Sequence, residues 1–187
     1  MSNRILTVFG GSAPKPGSEA YQQAEHLGSL AARGGWRVAT GGYIGTMEAV
    51  SKGASEAGGR AIGVTCDQIE HWRAIGPNRW VGEEIRQATL RERLYKLVEL
   101  GSAYIALPGG IGTLSEVAFS WSLIQTKELS PRPLVLVGDT WTSTMELFLD
   151  KAGGYVRPAD RELILFAPDV DSAWRQVLRM VEGDGGI

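Results

Sequence analysis

The stretch ALPGGIGTLSEV, residues 106–117, decides how the chain folds and where its chemistry lies. Apolar residues run into Pro108, Gly109 and Gly110, and after Gly112 a helical spacing begins. A strand that ends in a glycine turn and opens into a helix belongs to parallel α/β sheets, and the amides of such a turn commonly approach a phosphate. Glu116 stands just inside this helix, and two readings of it are open. In the first, Thr113-x-x-Glu116 is a capping box, with the threonine capping the helix and the glutamate reaching back. In the second, the carboxylate turns into the cleft beside the glycines. Pointed at a phosphate it would repel the ligand, but pointed at an adjoining sugar it could stabilise positive charge there.

Working outward, short apolar runs alternate with helical patterns. Residues 4–9, 36–40, 60–65, 102–108, 132–138 and 162–166 read as strands. Helices are expected after the first two strands, over 83–100, from Leu114 through Ile124, over 142–151, and through Trp174 and Val181. Residues 66–82 have no clean period and read as a long functional loop or lid. The tail 183–187 reads as loose. Strands this apolar need cover on both faces, which predicts an α/β, Rossmann-like doubly wound parallel sheet in a single domain spanning 1–187. The turns Gly10-Gly11, Gly41-Gly42 and Gly109-Gly110 then share one sheet edge and point to one anion site, although each alone could simply serve a tight turn.

Composition narrows the function. The chain has 187 residues, 43% of them hydrophobic, and a net charge of -2, which argues against a nucleic-acid polymer as partner. Cys66 is the only cysteine, so neither an internal disulfide nor a cysteine-based zinc site is expected. His26 and His71 lack metal-ligand spacing and read as surface or loop residues, so no metal is expected. The start MSNRILTVFGG does not read as a signal peptide, and no run is long enough to span a membrane, so a cytoplasmic protein with no membrane partner is expected. Gly110-x-Gly112 is followed by Ser115 where a dinucleotide fingerprint needs a third glycine, and no P-loop or nucleophile elbow is present. Lys52, Lys96 and Lys127 read as solvated helix charges rather than Schiff-base lysines, and no cofactor is expected. With Leu90 placed at the centre of the buried face of its helix, Leu97, Arg86 and Leu94 fall nearby and Arg93 borders the buried stripe. Such an arginine can snorkel or pair with an acid as readily as bind a ligand.

PGGIGTLSE (108–116) resembles the P-G-G-x-G-T-x-x-E signature of the Lonely Guy family, the cytokinin-activating nucleoside 5′-monophosphate phosphoribohydrolases often labelled lysine decarboxylases. VFGGS (8–12), the segment 41–64 and LRERL (90–94) resemble further parts of that family, and the likeness runs from about residue 4 to 140. The resemblance implies catalytic roles for Arg93 and Glu116. It implies phosphate or nucleotide contacts from Gly11, Ser12, Gly41, Gly42, Met47, Pro108, Gly109, Gly110, Ile111, Gly112 and Thr113. The expected reaction is hydrolysis of the N-glycosidic bond of a nucleoside 5′-monophosphate to free base and ribose 5-phosphate. A homodimer is implied, with the helix of Leu90 to Leu100 and the helix of Trp121 near the interface. Trp72 and Trp80 could stack on a base or pack as a lid. The related molybdenum-cofactor carrier proteins share the fold and a similar turn but bind without hydrolysis. Tyr43, Glu48, Leu94 and Ser115 depart from the hydrolase pattern, so a carrier for a nucleotide or pterin-type cofactor stays open as the alternative.

Overall fold

Strands and helices alternate along residues 4–183, which are the residues described by the computed structural model. In chain order they are β1 (Ile5–Phe9), α1 (Glu19–Arg33), β2 (Arg37–Thr40), α2 (Thr46–Glu56), β3 (Ala61–Cys66), α3 (Asp67–Trp72), β4 (Glu83–Gln87) and α4 (Leu90–Leu100). There follow β5 (Ala103–Ala106), α5 (Ile111–Gln125), β6 (Leu134–Val137), α6 (Asp139–Ala152), α7 (Pro158–Arg161), β7 (Leu165–Ala167) and α8 (Val170–Gly183). The strands form one parallel sheet in the order β4-β3-β2-β1-β5-β6-β7.

Alternation along β1 builds both layers. Leu6 and Val8 join the core formed with α1, α2 and α8, through residues such as Leu27, Val50 and Trp174. Ile5 and Phe9 face the opposite core, where α4, α5 and α6 contribute Leu97, Val117 and Trp141. The doubly wound sheet expected from the sequence is therefore the fold. The chain winds outward from β1 to β4 and then returns to lay β5 against the other side of β1. A sheet of this kind opens a crevice where its winding reverses, here beyond the carboxyl ends of β1 and β5.

Several local expectations change. Residues 83–100 do not form one helix: 83–87 make the edge strand β4, paired with β3, and only Leu90–Leu100 is helical. The charges of Glu83, Glu84 and Arg86 suit a sheet edge, where they oppose pairing with another chain. Thr89 and Glu92 form a complete capping box that starts α4. The boundary was thus written in Thr89-x-x-Glu92, a pattern like the one read at Thr113. Leu90 lies at the exposed start of α4 and Arg86 lies on β4, whereas Arg93, Leu97 and Val98 form the buried face. Residues 66–82 include the short helix α3, and Cys66 ends β3. The last strand runs Leu165–Ala167, later than its apolar run suggested, and the helix expected over 142–151 runs Asp139–Ala152. Lys127 follows α5 with a positive φ of 62° rather than lying on a helix. Gly183 closes α8, and the rest of the tail read as loose lies outside the described residues, as do 1–3.

The α1–α2 contact is close enough to exclude a side chain at Gly53, where an added Cβ would lie 1.8 Å from the Glu25 carbonyl oxygen. Alanine there gains up to about 1 kcal/mol of helix propensity but collides with backbone rather than with a movable side chain. Gly53→Ala is therefore expected to destabilise the protein by about 1–3 kcal/mol net, read as a lowered midpoint in urea unfolding.

Candidate functional site

Backbone hydrogen bonds lock the turns at the crevice together. Gly11 donates its N–H to the Pro108 carbonyl at 3.2 Å, and its own carbonyl accepts from Thr46 N at 3.0 Å. The turn after β2 is held by Gly42 N donating to Thr40 Oγ1 at 3.1 Å. Asn78 fastens the 73–82 segment onto that turn, its Nδ2 donating to the Gly42 and Tyr43 carbonyls at 3.0 and 2.8 Å. Between these turns lies a cleft of about 440 Å³.

Of the residues singled out in the sequence, Gly11, Ser12, Met47, Arg93, Gly110, Ile111, Gly112, Thr113 and Glu116 line this one cleft. Gly41, Gly42, Pro108 and Gly109 do not line it; they shape its walls from behind. The role of Gly41 is steric. A Cβ there would sit 1.8 Å from Arg93 Nη2 and 2.6 Å from the Met47 sulfur, so only glycine leaves room for the guanidinium. Gly10, from the first glycine turn, and Trp72, named as a loop aromatic, also line it, together with Tyr43, Ile44, Ile69, Arg73 and Ile75, which were not picked out as site residues. Most come from the aperiodic 66–82 region, so sequence pattern could mark the segment as functional but not say which residues turn inward. Trp80 is not among the lining residues; its ring lies against Arg79.

The helix cap reading of Glu116 is overturned. Helix α5 begins at Ile111 with Gly110 at its N-cap and no side-chain cap bond, which places Thr113 inside the first turn and Glu116 beyond it. Freed from capping, the Glu116 carboxylate points inward and is 9% exposed. Its neighbour is Arg93, itself 7% exposed, whose Nη1 lies 3.9 Å from Glu116 Oε1. Arg93 Nε donates to the Val64 carbonyl at 2.8 Å, which fixes the guanidinium against β3. At 3.9 Å the charges attract without a direct hydrogen bond, leaving room for a ligand to take part.

Burial drives the Glu116 pKa up to about 7 from 4.5, and the positive charge of Arg93 partly opposes the rise. The folded protein therefore holds a proton on Glu116 that the unfolded chain has already lost between about pH 4.5 and 7. Stability from this residue is full below that window and declines as pH rises through it. Glu116→Gln is expected to raise stability by on the order of 2–3 kcal/mol at pH 8 and to change it little at pH 4.5, as read by denaturant unfolding at the two pH values.

Among the described residues, no group of three or more histidine, cysteine, aspartate or glutamate side chains is placed to hold a metal ion. The comparisons with known proteins agree with the architecture. A family model described as "Possible lysine decarboxylase" matches residues 47–177. A cytokinin riboside 5′-monophosphate phosphoribohydrolase of Rhodococcoides fascians is 31% identical over 178 residues, covering 91% of this chain and 87% of that protein. A probable cytokinin riboside 5′-monophosphate phosphoribohydrolase of Oryza sativa subsp. japonica is 32% identical over 171 residues, 88% of this chain and 68% of that protein. Among solved structures, the molybdenum cofactor binding protein from the phototrophic bacterium Rippkaea orientalis is similar with a TM-score of 0.75 and 26% identity, covering 97% of this chain and 99% of that one. None of the described residues lining the cleft is a lysine, so the lining does not fit a cofactor held as a lysine Schiff base. The shared sheet, the glycine turns and the matched sequence together place this chain in the Lonely Guy family, whose model carries the "possible lysine decarboxylase" description.

Proposed function

We propose that the protein hydrolyses the N-glycosidic bond of a nucleoside 5′-monophosphate, releasing the free base and ribose 5-phosphate. The observation that carries this reading is the buried Arg93–Glu116 pair set beside the N-terminus of α5. The 5′-phosphate rests on the first amides of that helix, at Ile111, Gly112 and Thr113, where unpaired N–H groups and the helix dipole favour an anion. Ser12 and Thr113 add hydroxyl donors, and Gly11, Gly41, Gly42, Met47, Pro108, Gly109 and Gly110 shape the cradle. On this reading residues 1–187 belong to one nucleotide-binding domain.

As the bond to the base breaks, its electron pair leaves with the base and the ribose gains oxocarbenium character. The Glu116 carboxylate stabilises that charge and takes a proton from the attacking water, whose oxygen bonds to the sugar carbon. Arg93 holds the phosphate or stabilises the departing base, which takes up a proton from solvent as it leaves, while the proton taken by Glu116 is returned to solvent. The relatives named as phosphoribohydrolases, with about 31% identity over most of the chain, support the same reading. Only ionised Glu116 serves in this step, so kcat/KM is expected to rise with pH along an acid limb near 7. Apolar residues that α4 and α5 leave exposed, including Leu90, Tyr95 and Leu114, support a homodimer built on these two helices. No helix among the described residues is long and apolar enough to cross a membrane. A cytoplasmic setting suits the buried, unpaired thiol of Cys66.

A second reading, a carrier that binds a phosphorylated nucleotide or pterin-type cofactor without turnover, draws support from the structural likeness to a molybdenum cofactor binding protein. One experiment separates the two. The protein is incubated with AMP, other nucleoside monophosphates and an N6-prenylated AMP, and free base and ribose 5-phosphate are measured. Release by the wild type, reduced about 10²–10⁴-fold in Glu116→Gln and strongly in Arg93→Ala, is the expected outcome. A folded wild type that releases no base but gains thermal stability with these ligands would favour the carrier.

A further inference from the structure

We infer that Tyr43 is a positioning residue, its ring anchored to the end of β3 so that it fixes the Arg93 guanidinium beside Glu116. The phenol oxygen accepts from Cys66 N at 2.8 Å and donates to the Cys66 carbonyl at 3.2 Å. Both capacities of the hydroxyl are thus spent on one backbone residue, and the ring cannot slide without breaking buried hydrogen bonds. A residue that merely filled space would have no need of them, since phenylalanine has nearly the same volume. The Tyr43 carbonyl is held in turn by Asn78 Nδ2.

The ring centroid lies 5.6 Å from Arg93 Cζ, within the range where an aromatic face attracts a guanidinium. Burial keeps the phenol protonated, so Arg93 meets a neutral π face rather than a competing anion. The charged and titratable neighbours facing Tyr43 are Arg93 from α4, Glu70 from α3 and the Cys66 thiol, while Glu116 faces Arg93. Arg93 is therefore bounded by the Val64 carbonyl at Nε, by Gly41 on its Nη2 side and by the Tyr43 ring. Loss of the ring would let the guanidinium drift from Glu116, which would then hold its proton more tightly.

The kinetic consequence rests on the hydrolase reading; the electrostatic one does not. The test follows the Glu116 side chain by NMR in protein labelled with ¹³C-glutamate, the resonance being assigned by its loss in Glu116→Gln. Wild type, Tyr43→Phe and Tyr43→Leu are titrated after circular dichroism confirms folding, with Tyr43→Met used if the leucine variant does not fold. The expected result is a Glu116 midpoint raised by about half a pH unit or more without the ring, and by less in Tyr43→Phe. The acid limb of kcat/KM should move by the same amount, with kcat falling about tenfold or more and KM changing less. A midpoint in the ring-less variant equal to that of wild type, or shifts equal in the phenylalanine and ring-less variants, would overturn the inference. Absence of base release from the wild type would overturn the hydrolase reading alone, since the titration still decides the role of Tyr43.

Discussion

A buried cation and an ionisable carboxyl 3.9 Å apart, Arg93 and Glu116, are the constraint around which the site is organised. Taking both from water is costly, and their mutual attraction at that distance does not by itself offset the loss. The surroundings supply what is missing for the cation: a β3 carbonyl at Nε, an aromatic face from Tyr43, and a glycine at position 41 that leaves the guanidinium room. Glu116 receives less help, and its raised pKa is the measure of that imbalance. A carboxylate that changes charge near neutral pH is suited to proton transfer, which is the property the proposed reaction would draw on.

The sheet makes this arrangement possible. Because the chain winds outward from β1 and returns to β5, loops from distant parts of the sequence converge beyond the carboxyl ends of neighbouring strands. The first turn is then tied to the Pro108 carbonyl and to the start of α2. Helix α5 directs its N-terminus at the same crevice, so the place that favours an anion and the place that buries the charge pair adjoin. The 73–82 segment is fastened through Asn78 to the turn that carries Tyr43.

The likeness to both phosphoribohydrolases and a molybdenum cofactor binding protein has a physical counterpart in the cleft. A glycine cradle at a helix N-terminus recognises a phosphate whatever is attached to it. On the proposed reading, discrimination between turnover and storage comes from the groups beside the glycine turns. Here these are an ionisable carboxylate and a fixed cation, enclosed by apolar residues such as Ile44, Ile69 and Ile75.

Local patterns in the sequence determined a good deal. Apolar strands ending in glycine turns specified a parallel sheet with helices on both faces, because strands buried on both sides must be apolar throughout. The PGGIGTLSE segment marked one wall of the cleft, and Arg93 and Glu116, which also line it, could be named from the family likeness. Only tertiary structure decided that 83–87 is a strand, since Glu-Glu-Ile-Arg-Gln carries no strand periodicity and is stabilised by pairing with β3. Only tertiary structure released Glu116 from a capping role, because that depended on where α5 begins. The same holds for Tyr43, whose meeting with Cys66 and Arg93 joins residues far apart in the chain. Periodicity records how each segment meets its immediate environment. Which side chains share a cavity depends on strand order and helix placement, and these arise from contacts between segments that no local pattern contains.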